Sequence, residues 1–360
     1  MGKDNTTQTI NKEGSSGVNN PQENILGQGT YGKVYKAFSR TTGKPVAIKQ
    51  INKKALILEE LELQQHEIHL YRVMTDDNYK GTVRMLDVFE DHLQINVVLE
   101  FIEGKNLFHW IKSEKEVDEE KSRRLFREIV KVVGYVHSKG IVHRDIKLEN
   151  IMLRQLPPSD PKLSAQQQES AKGKLLLQPK PTEDLPMEDY GGADPEFQVR
   201  LIDFGLSKVL IPGETSTDPY GTLAYCSPEI IAKRPHTQQT DVWSLGIVLY
   251  TLLTRRMPFV VSHDVEQTKN NILYRALNFE NPLWQTVSEE AKDLLARMLE
   301  KDQRNRISCE GALRHPWLAK GTALAKDASY KGNKSNQYTE KRSQSGNVPN
   351  RVGSSYLKAR

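Results

Sequence analysis

Residues Gly140–Leu153 read GIVHRDIKLENIML, and the reading of this stretch decides the fold. Asp145 is a residue type that can accept a hydrogen bond from an attacking hydroxyl and orient it. Lys147, two residues on, can neutralise a transferring phosphoryl group, and Asn150 offers a side-chain oxygen to a magnesium ion. One tight loop would then hold an orienting base, a charge stabiliser and a metal ligand. Its complement comes much later. LIDFG, residues 201–205, ends a strand with Asp203, a natural ligand for magnesium bridging two phosphates. Asn150 and Asp203 are 53 positions apart. Between them, residues 154–197 carry seven prolines and five glutamines, which marks an insertion loop. NIML and QVRLI on either side read as the two strands of a hairpin that this loop joins.

Working outward toward the N-terminus, ILGQGTYGKV carries Gly27, Gly29 and Gly32. A Walker A loop would fit as far as Lys33, but Val34 stands where the metal-binding hydroxyl must be. A dinucleotide fold needs a helix next, and the following residues look like strand. A third reading is a glycine-rich hairpin over nucleotide phosphates, where absent side chains let backbone N–H groups approach. A plain glycine-rich turn remains open on this stretch alone. KVYKAF and KPVAIKQI around RTTG predict a hairpin ending with Lys49 on an apolar strand. The stretch 56–74 predicts a helix that carries Glu67, with Glu59, Glu60 and Glu62 as rival partners for Lys49. Two more strands follow in 84–104, and helical patterns dominate after Leu107, over 119–139, 241–254, 288–300 and 308–314.

The glycine loop, VAIK, HRDxKxxN and DFG, in this order, make residues 21–319 resemble the eukaryotic protein kinases. The resemblance implies an α+β, bilobal fold: an antiparallel-sheet N-lobe with one main helix over 21–102, and a mostly helical C-lobe over 103–319. It implies ATP and Mg2+ as cofactors. Adenine would lie among Leu26, Val34, Ala47 and Met152, against the backbone of Glu100 and Ile102. Gly27, Gly29 and Gly32 would cover the phosphates and Glu67 would hold Lys49. Magnesium would sit on Asn150 and Asp203, and Asp145 would orient the substrate hydroxyl. GTLAYCSPE and DQRNRIS supply Glu229 and Arg306, which in this family form a buried pair anchoring the activation segment, while Asp241 braces the catalytic loop. Lys147 with Thr222 marks the serine/threonine branch, so protein substrates with serine or threonine are expected. A pseudokinase-like scaffold is the alternative, and Lys49, Asp145 and Asp203 are the residues such a scaffold commonly loses.

NPLWQTVSEEAKDLLARML and RISCEGALRHPWL look like the calcium/calmodulin-dependent group, closest to the catalytic domain of calcium-dependent protein kinases. No stretch fits the EF-hand pattern D-x-[DN]-x-[DN]-G-x5-E, so no intrinsic calcium site is expected. Asp218 stands four residues before Thr222, where many kinases carry a phosphothreonine that pairs with the residue equivalent to Arg144. A permanent charge at Asp218 is the reading, with phosphorylation of Thr215, Ser216 or Thr217 as its rival. Asn106, beside Lys105, replaces an acid that basic-directed relatives use. Weaker selection for arginine three residues before the phosphosite follows, with Glu149 as a remaining acid.

Composition sets the outer bounds. The chain has 360 residues, 37% hydrophobic and 27% charged, with a formal net charge of +5. Nine basic and two acidic residues from Lys320 to Arg360 account for more than that whole charge, leaving a body that is no basic nucleic-acid binder. Residues 320–360 and 1–20 are expected to be disordered. Cys226 and Cys309 are too few for a disulfide framework, which places the protein in a reducing compartment, cytoplasm or nucleus. The longest apolar run, Val242–Leu253, is too short to span a bilayer. Met1-Gly2 with Thr6 matches the loose myristoylation pattern at Gly2, a weak anchor that would need a second signal.

Overall fold

The computed structural model describes residues 25–29, 32–115, 117–155 and 197–322. The expected N-terminal segment 1–20 with Gly2, the interior of the insertion and the tail beyond Thr322 lie outside the described residues. All described residues belong to one compact unit.

The first third is a five-stranded antiparallel sheet in the order β1-β2-β3-β5-β4. Its strands are β1 (Ile25–Gln28), β2 (Gly32–Phe38), β3 (Pro45–Asn52), β4 (Met85–Glu90) and β5 (Gln94–Glu100), with helix α1 (Leu58–Asp76) between β3 and β4. Side chains alternate faces along a strand. Val46 and Ile48 therefore point one way, into a small cluster with Ala37 and Val98. Ala47, Lys49 and Ile51 point the other way, and Ile51 reaches the main core. This alternation is what aims a lysine at the space below the sheet. Gly32 is required by the sheet itself, since a Cβ there would lie 2.1 Å from the Gln50 carbonyl oxygen.

The remainder is mostly helical, as expected. It holds β6 (Lys105–Asn106), α2 (Leu107–Ser113), α3 (Glu119–Ser138), β7 (Ile141–Val142), β8 (Ile151–Gln155), β9 (Phe197–Leu201), β10 (Lys208–Val209), α4 (Pro228–Ile231) and α5 (Gln239–Thr254). Then come α6 (Val265–Tyr274), α7 (Glu289–Met298), α8 (Cys309–Arg314) and α9 (Pro316–Ala319). Side-chain oxygens of Asp118, Asp264, Ser288 and Ser308 cap α3, α6, α7 and α8 by accepting from backbone N–H groups in the first turn. The apolar run of α5 is buried almost all round, with Val242, Trp243, Leu245, Ile247, Val248 and Leu249 fully inaccessible. Such a helix forms the centre of a globular core. Among the described residues no helix is long and apolar enough to cross a membrane.

β8 and β9 pair antiparallel in the register Ile151↔Leu201 to Gln155↔Phe197. The hairpin predicted around the insertion is thus present. It differs at its ends: Arg154, Gln155 and Phe197, expected within the loop, are strand. The ladder continues past the apolar residues because backbone pairing does not need apolar side chains.

Candidate active site

The sheet and the helical part meet around Lys49. Its Nζ lies 2.6 and 2.7 Å from the two carboxylate oxygens of Glu67 and 3.6 Å from Asp203 Oδ1. Of the four rival glutamates it is therefore Glu67, 2% exposed, that holds the lysine. Glu60 instead accepts from the Ile57 amide at the start of α1, and Glu59 and Glu62 face solvent. Burial opposes charge on Lys49, but Glu67 and Asp203 outweigh it and its pKa is raised. Burial likewise opposes charge on Asp203, yet Lys49 and His143 hold its carboxyl below the usual range. Both groups stay ionised near neutral pH.

Asp145 closes a ring of contacts with the residues the sequence predicts beside it. Its Oδ2 accepts from Lys147 Nζ at 2.7 Å and from Asn150 Nδ2 at 3.0 Å. Its Oδ1 accepts from Thr222 Oγ1 at 2.7 Å, and Thr222 Oγ1 accepts from Lys147 Nζ at 3.0 Å. Thr222 is thereby brought from 77 positions away onto the catalytic loop. The backbone is strained at two points, Arg144 in this loop and Asp203 after β9, at φ 66° and 65°. Each such conformation costs on the order of 1–3 kcal/mol. Asp241 offsets this at the first position by accepting from the His143 and Arg144 amides, both at 2.8 Å. At the second, the Ile202 amide donates to the Asn150 carbonyl at 3.0 Å, which ties the segment carrying Asn150 to the one carrying Asp203.

Arg144 carries the loop to the activation segment. Asp218 Oδ2 accepts from Arg144 Nη1 at 2.7 Å, Ser216 Oγ at 2.8 Å and Lys208 Nζ at 2.9 Å. Partial burial opposes the charge, but Lys208, Ser216 and Arg144 hold the Asp218 carboxyl far below the usual range. Further on, Arg306 donates to both Glu229 oxygens, at 2.6 and 2.9 Å, in a fully buried pair.

Above the site, a Cβ on Gly27 would meet nothing within 4 Å and one on Gly29 only the Gly32 carbonyl oxygen at 3.9 Å, so the glycine loop borders open space. Leu26 is exposed, and Val34, Ala47, Ile102 and Met152 are partly buried, as walls of an open cleft would be. Glu100 turns its carboxylate to the Arg84 amide and toward Arg200. Asn106, at the mouth, caps α2 by accepting from the His109 amide at 2.9 Å, while Lys105 and Glu149 are exposed.

The donor set fits ATP with magnesium. Asn150 uses its amide nitrogen on Asp145, which leaves its oxygen for a cation. Asp203 is 48% exposed at its side chain and anionic. Among the described residues no three His, Cys, Asp or Glu form a metal cage. Magnesium suits such a site, because it takes its other ligands from phosphate and water. The site also contains residues that the sequence does not single out. Lys208 contacts Asp218, His137 contacts Asp241 and Tyr71 packs its ring on Phe204, next to Asp203; only Tyr71 had a signal, its place one helical turn after Glu67.

A family model described as "Protein kinase domain" matches residues 21–318. Calcium-dependent protein kinase 10 of Oryza sativa subsp. japonica is 32% identical over 303 residues, 84% of this chain and 44% of the rice protein. The chain thus spans less than half of that relative's length. Calcium/calmodulin-dependent protein kinases type 1 of Caenorhabditis elegans and Caenorhabditis briggsae are each 29% identical over 304 residues, 84% of this chain and 75% and 73% of theirs. With the matched span enclosing Lys49, Asp145, Asn150 and Asp203 in the arrangement just described, the chain belongs to the protein kinase family.

Proposed function

We propose that the protein transfers the γ-phosphoryl group of ATP to serine and threonine hydroxyls of protein substrates. The observation that carries this is the ring joining Asp145, Lys147, Asn150 and Thr222. Asp145 Oδ1, on the Thr222 side, is where a substrate hydroxyl would be oriented and would leave its proton. Lys147 sits 2.7 Å from Asp145 and supplies positive charge beside the transferring group. Lys49, steadied by Glu67, would grip the ATP phosphates from the other lobe. Magnesium held by Asn150 and Asp203 would neutralise charge developing between the β- and γ-phosphates. The scaffold alternative has all of these groups against it.

Asp218 is read as a built-in substitute for an activation-segment phosphate, since it already engages Arg144 and Lys208. Asn106, committed to capping α2, offers no carboxylate to a substrate arginine, so selection for arginine three residues before the phosphosite should be weak. A peptide-array assay with radiolabelled ATP and magnesium tests the reading, with Asp203→Ala as control. Label on serine and threonine peptides, lost in the control, is expected. Label confined to tyrosine, or none from the folded wild type, would overturn it.

A further inference from the structure

Protein kinases carry Ala-Pro-Glu at the end of the activation segment. This chain reads Ser227-Pro228-Glu229, which adds one hydroxyl at a fully buried place. Ser227 stands just before α4, where a serine oxygen ordinarily accepts from a first-turn amide. It makes no such cap. Its Oγ lies instead 2.8 Å from Thr240 Oγ1 on α5, one hydroxyl donating to the other. Thr240 is 2% exposed, and among the described residues neither hydroxyl has another partner. One helical turn further along α5, Ser244 Oγ donates to the Tyr225 carbonyl at 2.9 Å.

The extra contact lands on a turn with little freedom. The Tyr225 amide donates to the Thr222 carbonyl at 2.8 Å and the Cys226 amide to the Leu223 carbonyl at 3.1 Å, so a displacement at Ser227 reaches Thr222. The turn is pressed onto the catalytic loop: a Cβ on Gly221 would lie 3.0 Å from the Arg144 carbonyl oxygen and 3.1 Å from Cys226 Sγ. Thr222 meets Asp145 and Lys147, where a substrate hydroxyl would be oriented. We propose that Ser227 and Thr240 are a pair of positioning residues that sets the 222–227 turn against Asp145, and so tunes the binding and turnover of the peptide substrate while leaving the nucleotide untouched. The inference rests on the phosphotransfer reading above.

The test uses full-length wild type, Ser227→Ala, Thr240→Val, Thr240→Ser and the double variant Ser227→Ala with Thr240→Val. Steady-state kinetics on a serine peptide are measured beside melting curves. Calorimetry gives the affinity for the non-hydrolysable nucleotide AMP-PNP with magnesium, and for the peptide with that nucleotide bound. Ser227→Ala and Thr240→Val each strand one buried hydroxyl. Peptide kcat/KM and peptide affinity should fall about fivefold in both, with nucleotide affinity within about twofold of wild type. The double variant strands no hydroxyl, so its melting midpoint should return to within about 2 °C of wild type. Its peptide kcat/KM should stay about fivefold low, because the contact that places the turn is still missing. Thr240→Ser keeps the hydroxyl and should hold kcat/KM within about twofold of wild type. Wild-type kcat/KM in Ser227→Ala, recovery of kcat/KM together with the midpoint in the double variant, or nucleotide affinity falling as far as peptide affinity would overturn the proposal. An inactive wild type that still shows this pattern of peptide affinities would sink the phosphotransfer reading and leave the positioning role standing.

Discussion

Asp218 brings one fixed negative charge to Arg144, Lys208 and Ser216, where a phosphate would bring roughly −1.5 to −2. Charge-assisted hydrogen bonds contribute about 1.5–3 kcal/mol each. Phosphatase-treated wild type should therefore keep its activity, while Asp218→Ala should lose about tenfold or more in kcat. The reverse pattern in a radiometric assay would show that a phosphate, not Asp218, orders the segment. Because the carboxyl titrates far below neutral, this contact adds no pH dependence between about pH 5 and 8. At this scale the sequence is legible where chemistry dictates residue type. Asp145, Asn150 and Asp203 read directly because the base and the two metal ligands proposed for them have few substitutes. Tyr71 and Lys208 do not, because a tyrosine in a helix reads as core and a lysine after a loop reads as surface. Cys226 lies beside Asp145, and burial pushes its thiol up to about 12. It is therefore inert at neutral pH, and iodoacetamide should leave the folded enzyme's activity unchanged.

Between elements, His137 links the end of α3 to the start of α5. Its Nε2 lies 2.9 Å from Asp241 Oδ2, and Cys309 Sγ is 3.6 Å from its Nδ1. Burial opposes its charge, but Cys309 and Asp241 prevail and raise its pKa to about 10. The sign follows from linkage: a group with a raised folded pKa contributes stability below its unfolded value, near 6.5, which is lost as pH climbs toward about 10. Urea titrations should show wild-type stability declining relative to His137→Gln across that window, and parallel curves would refute the ion pair. Glu229 and Arg306 link α4 to the turn before α8. Breaking a buried pair on one side costs about 3–5 kcal/mol. Arg306→Met should show that loss in denaturant melts, and Glu229→Gln with Arg306→Met should cost less than the two single losses added. Among elements, the long helices and the β2–β3 and β8–β9 hairpins were legible from periodicity. The two-residue strands β6, β7 and β10 were not, since a ladder that short has no period to read.

Over the whole molecule, the insertion separates two strands that nonetheless pair in full register. Lengthening a connection about fivefold costs roughly (3/2)RT ln 5, or ~1.4 kcal/mol. Replacing 156–196 by a four-residue turn should therefore keep phosphotransfer activity and raise the melting midpoint by about 2–6 °C. A drop in kcat would show that the segment contributes to the site. The same interval has a consequence during synthesis. At roughly 5–20 residues per second, the 53 positions from Asn150 to Asp203 take about 3–10 s to translate. For that time β8 leaves the ribosome with no β9 to pair with, a bare edge built from Ile151, Met152 and Leu153. Unpaired apolar edges recruit other chains, and charged side chains deter them. β6 already covers the other edge of β8, and Arg154, exposed on β8 itself, stands where it can guard the nascent strand until its partner arrives.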